Sequence, residues 1–83
     1  MPLYYFDIDN GARSTRDDTG LECANRDQIR SHAIGTLAEI ANAELPDGDD
    51  VDFVVRVRDE TGTQVFRAWL ALHSEWTSPE EGS

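Results

Sequence analysis

The stretch DFVVRVRDETGTQVFRAWLAL, residues 52–72, can fold in few ways. Two runs of alternating apolar and polar residues flank Asp59-Glu60-Thr61-Gly62, and period-two alternation on both sides of a glycine turn marks a β-hairpin. Its register follows from its own pattern. A two-residue loop at Thr61-Gly62 sets Val57 against Phe66, Val55 against Ala68 and Phe53 against Leu70, so every inward pair is apolar. A three-residue loop would set Val55 against Arg67, because a slip of one residue turns each side chain to the other face. The two-residue loop is therefore expected. Phe53, Val55, Val57, Phe66, Ala68, Leu70 and Leu72 then form a core face, with Val54 against Trp69 and Arg56 against Arg67 on the other.

A core face needs a cover, and residues 25–45 supply a helix. Asn25 caps it, Gln28 three positions on completes a capping-box pattern, and Asp27 suits the positive end of the dipole. At 100° per residue, Ile29, Ala33, Ile34, Leu37, Ala38, Ile40, Ala41 and Leu45 share one arc. Gln28, Ser31, His32, Gly35, Glu39 and Asn42 face away. Arg30 falls inside the apolar arc and is expected to snorkel outward along its stem. Gly35 is read as tolerance of a small propensity cost rather than as a close approach by a partner backbone. Pro46 cannot continue the helix, and Pro46-Asp47-Gly48-Asp49 is turn chemistry.

Upstream, Leu3-Tyr-Tyr-Phe-Asp-Ile8 is rich in strand formers, and Asp9-Asn10-Gly11-Ala12 predicts a hairpin through a type I′ turn. The returning strand, from Ala12 to Arg16, is short and polar, as edge strands often are. Asp17-Asp18-Thr19-Gly20 is a further turn, and Leu21-Glu22-Cys23-Ala24 reads as an extended connection. The order β-β-α-β-β predicts an α+β fold, a two-layer sandwich of one amphipathic helix on an antiparallel four-stranded sheet. Residues 1–76 form a single domain on this reading, and 77–83 a disordered acidic tail.

With 83 residues the chain has room for one core, and a domain this small buries only about 60% of its unfolded surface. Cys23 is the single cysteine and cannot pair within the chain, so a reducing cytoplasm is expected. The first residues lack the pattern of a signal peptide, and no apolar run approaches a membrane span. A net charge of −10 repels phosphate backbones and argues against general nucleic-acid binding. All seven cations are arginines.

Met1-Pro-Leu-Tyr-Tyr-Phe-Asp-Ile8, the Asp-Asn-Gly turn, Asp17-Asp-Thr-Gly-Leu-Glu22, the alanine-rich helix, Leu45-Pro-Asp-Gly48 and Val57-Arg-Asp-Glu-Thr-Gly62 occur in that order. Together they resemble a family of short bacterial proteins known only as a domain of unknown function. Members begin with a Met-Pro-x-Tyr-Phe-Phe-Asp-Ile stretch, and Tyr5 here stands where that pattern has phenylalanine. The resemblance runs to about Leu72, implies a bacterial cytoplasmic protein, and brings no functional residues with it. The opening hairpin and helix also resemble the architecture of HicB-type antitoxins, which implies, by fold analogy alone, a regulatory partner for a small basic protein.

The face opposite the helix carries the functional expectation. Trp69, Val54, Arg56, Arg67, Val65 and Tyr5 together have the composition of an interface core, where tryptophan, tyrosine and arginine are enriched. A homodimer is expected, since self-association adds burial that a small core lacks. The competing readings are a solvated face whose arginines pair with Asp52 or Asp7, and a platform that stacks single-stranded bases or holds anions. Asp47-Gly-Asp-Asp-Val-Asp52 lacks the glutamate of a calcium loop. His32, His73 and Cys23 lack zinc spacing, and Cys23 reads as a small apolar filler. No phosphate-cradling glycine loop, nucleophile elbow or dinucleotide fingerprint is present. The chain is read as a non-enzymatic module without catalytic, cofactor-binding or metal-binding residues.

Overall fold

The computed structural model describes residues 2–11, 13–43 and 50–79. Its elements run β1 (Leu3–Asp9), β2 (Ser14–Thr15), β3 (Leu21–Glu22), α1 (Arg26–Ala43), β4 (Asp50–Arg58) and β5 (Gln64–His73). The fold is α+β, one helix on an antiparallel sheet. Among the described residues the sheet has five strands rather than the expected four, along the path β2-β1-β4-β5 with β3 also on β1. The additional strand is the segment read as a connection: Leu21 pairs with Tyr4 and Glu22 with Leu3. Two residues are too short a run to show alternation, so nothing local marked them.

The hairpin registers as its pattern requires. Val57 faces Phe66, Val55 faces Ala68, Phe53 faces Leu70, Val54 faces Trp69 and Arg56 faces Arg67. The loop is nevertheless three residues long. Asp59 N–H donates to Thr63 O at 2.9 Å and Gly62 N–H to Asp59 O at 3.0 Å, with Gly62 at φ +89°. Arg58 then pairs with Gln64 while Val57 pairs with Phe66, so Val65 is the extra residue of a β-bulge. The bulge absorbs the parity change that a three-residue loop introduces. Asp59 anchors the turn, its Oδ1 accepting the Thr61 and Thr63 N–H groups at 2.9 and 3.0 Å.

The first hairpin departs from a type I′ turn. Asn10 N–H donates to Arg13 O at 3.0 Å and the strand pairing ends at Asp9 with Ser14, so the loop closes at Asp9 and Ser14 rather than around a two-residue Asn10-Gly11 turn. Among the described residues only glycines, Gly11 included, take positive φ. The returning strand shrinks to Ser14–Thr15.

The helix begins as expected. Asn25 Oδ1 accepts the Gln28 N–H at 2.9 Å, and Gln28 Oε1 accepts the Ala24 N–H at 2.6 Å. Its buried line is narrow: Ile29, Ala33 and Leu37, with Ile40 and Ala41 partly covered. These meet Phe53, Val55 and Val57 of β4, with Phe6 and Cys23 completing the core. Val55 and Val57 are fully buried, and each such side chain contributes about 1.5–3 kcal/mol relative to exposure. Ile34, expected inside, is 42% exposed, and Ala38 is exposed too. The reason is the strand order: among the described residues β5 is the last strand, and none lies beyond it to cover that flank of α1. His32, expected to face away, sets its ring edge-on to Phe6, with centroids 4.6 Å apart. Leu45, the Pro46–Asp49 turn and the last residues of the acidic tail lie outside the described residues.

Candidate interface on the open side of the sheet

Three rows of side chains cross the sheet on the face away from α1. Asp9, Val54 and Trp69 form one, Asp7, Arg56 and Arg67 the next, and Tyr5 with Arg58 the third. The rows differ in what they leave available.

The Tyr5 row is internally consumed. Arg58 Nε donates to Asp7 Oδ2 at 2.9 Å, and its Nη2 donates to the Asp17 carbonyl at 2.7 Å. The guanidinium also lies 4.5 Å from the Tyr5 ring centroid. Asp17 stands in the gap between β2 and β3. Its Oδ2 accepts the Phe6 N–H at 3.1 Å where a strand carbonyl would otherwise serve, and its own N–H donates to Asp7 Oδ1 at 2.9 Å. Burial pushes the Asp7 carboxyl up, but Arg58 and the Asp17 N–H outweigh it and hold it below its ordinary value. Asp17 is likewise raised by burial and lowered further by the Phe6, Gly20 and Thr19 N–H groups. Tyr5 and Arg58 therefore seal the β1 edge.

The middle row sets two arginines directly opposite each other, an arrangement that is destabilising unless each finds a partner. Arg56 reaches Asp9, Nη1 to Oδ2 at 3.7 Å. Arg67 turns to the Trp69 ring, 5.4 Å from its centroid. Such exposed contacts contribute about 0–1 kcal/mol each.

Trp69 itself is 64% exposed on the face expected for it, beside half-buried Val54. Val65 departs from that face. The bulge turns it toward the helix side, where it lines a hollow of about 350 Å³ with Phe66, Tyr4, Ile29, Arg26 and Arg30. Of the six residues expected to form the interface, Trp69, Val54, Arg56 and Arg67 therefore share the open surface, Tyr5 is packed under Arg58, and Val65 lies around the corner. One feature escaped sequence reasoning: Trp76, just past β5, is 93% exposed.

The remaining candidates fall into structural roles. Cys23 is buried, and burial pushes its thiol up, which makes it a filler. His73 pairs with Asp50 across the end of the hairpin and with Glu75 at 3.5 Å. The Asp50 hydrogen bond raises the His73 pKa. Among the described residues, no group of three or more histidine, cysteine or acidic side chains could hold a metal ion, and no helix is long and apolar enough to cross a membrane.

The model of a family described as a domain of unknown function (DUF6894) matches residues 3–71. The chain belongs to that family. The match spans every element up to β5 and takes in the Asp7–Asp17–Arg58 network, Trp69 and the bulged hairpin, so the DUF6894 domain includes both the sealed edge and the open face. No curated protein and no solved structure matches the chain.

Proposed function

We propose that this DUF6894 domain is a non-enzymatic protein–protein contact module that self-associates, as a homodimer, through the side of the sheet bearing Trp69. The observation that carries the reading is a solvent-facing indole beside Val54 and under Arg67 on the side of the sheet away from the helix. Tryptophan and arginine are the residue types that anchor interfaces once water is excluded. Among the described residues the core has eight buried side chains, a small number that a partner would extend. A lone buried thiol suits a reducing cytoplasm.

The same face is poorly equipped for nucleic acid. Arg58 is committed to Asp7 and Asp17, and Arg56 sits beside Asp9, which leaves little uncompensated positive charge for phosphates. Sedimentation equilibrium from low to high micromolar concentration tests the proposal. The wild-type chain is expected to shift from monomer to dimer, and Trp69→Ala to remain a monomer. A wild-type monomer throughout would overturn it. A 1:1 complex with a small basic protein from the native cell would redirect the reading to a regulatory partner.

A further inference from the structure

We infer that the second copy docks on the free edge of β5, strand against antiparallel strand, so that the two sheets join into one. This rests on the self-association proposed above and adds where and how the copies meet.

The two edges of the sheet are treated differently. On the β1 side, β2 and β3 occupy the edge and Asp17 closes the gap between them. On the other side β5, ten residues long, has no neighbouring strand beyond it among the described residues. Proteins protect long edge strands with charge, proline or cover, and QVFRAWLALH has no proline, no acid and one arginine. A hollow of about 450 Å³ runs beside it, lined by Ile34, Leu37, Phe66, Ala68, Leu70 and Trp69. Ala68 and Leu70 belong to the helix face and Trp69 to the open face, so this space wraps around the strand's edge.

Charge and register point to a second copy as the occupant. In a chain of net charge −10, two molecules repel each other at most approaches, and β5 is a long strip without carboxylates. The unbulged stretch Phe66–Leu72 has Trp69 at its centre. Antiparallel pairing about that residue keeps core-facing residues in phase, as two joined sheets must. It sets Phe66 against Leu72 and Ala68 against Leu70, large against large at the ends and small against large within. On the open face, Arg67 falls opposite Ala71 and diagonal to the partner's Trp69, within reach of its ring. The two indoles meet at the axis. No arginine faces an arginine.

The test combines sedimentation equilibrium with residue-resolved amide hydrogen exchange on the full chain, at dilute and at high micromolar concentration. In a lone edge strand, alternate N–H groups point into solvent and exchange freely; strand pairing ties them up. The expected result is a dimer in which alternate amides between Val65 and Leu72 exchange at least tenfold more slowly than in the dilute sample. A dimer whose β5 amides exchange at the dilute rate would overturn edge pairing and leave self-association standing. A monomer at both concentrations would overturn both.

Discussion

Arg58 donates to Asp7 at 2.9 Å although neither is the other's cross-strand partner: Arg58 lies opposite Tyr5, and Asp7 opposite Arg56. The contact is a diagonal one, and it lets a single guanidinium span β4, β1 and the Asp17 carbonyl beyond. It fastens the sheet's irregular edge to its central strand. The arginine face thereby divides into a structural half around Arg58 and an open half around Trp69.

This network sets the acid response. Asp7 and Asp17 are held below their ordinary values, so their contribution is present above the unfolded pKa, near 3.8, and is lost as pH falls through the lower folded values. Urea midpoints are expected to change little through these two groups between pH 6 and about pH 4 and to drop below about pH 4. Asp7→Asn is expected to lower the midpoint at neutral pH and to flatten the fall. An unaltered acid limb in that variant would remove the network from the explanation.

Gly20 is fixed by both backbone and space. Its φ is +79°, and a Cβ there would sit 2.9 Å from Leu3 Cγ and 3.0 Å from Tyr5 Cε1. Positive φ alone costs a non-glycine residue about 1–2 kcal/mol, and the displaced β1 side chains add to that. Gly20→Ala is expected to destabilise by about 2 kcal/mol or more in urea unfolding, with the far-ultraviolet spectrum retained.

Gly35 behaves in the opposite way. It lies on the exposed side of α1, and nothing is within 4 Å of where a Cβ would be. Gly35→Ala is expected to stabilise the domain by about 1 kcal/mol and to leave the association constant unchanged. A weakened dimer would mean that this glycine admits a partner's backbone.

The hairpin register was legible because all seven inward positions are apolar while Asp52, Arg56, Arg58 and Arg67 fall among the outward ones, a constraint that survives an error in loop length. Parity did not reveal the loop, because a bulge at Val65 and one extra loop residue cancel in it; the signal was Gly62, at the third loop position where such a loop needs positive φ. Asn25 and Gln28 announced the helix start because a cap depends on neighbours in sequence. Ile34 was misplaced for the converse reason, since its exposure depends on which strand ends the sheet. β3 and the Asp17 bridge depend on contacts made across β1, which local patterning does not encode. Trp69 was placed by parity alone; that it stands at a free edge depended again on strand order.

Self-association through Trp69 is tested most directly by acrylamide quenching of its fluorescence in a Trp76→Phe variant, which removes the other, fully solvated indole. At dilute concentration the Trp69 ring is expected to be freely quenched; at high micromolar concentration the quenching constant is expected to fall severalfold as a second molecule covers it. A constant that stays the same across that range, with the ring still open to solvent, would contradict the proposed role of this face.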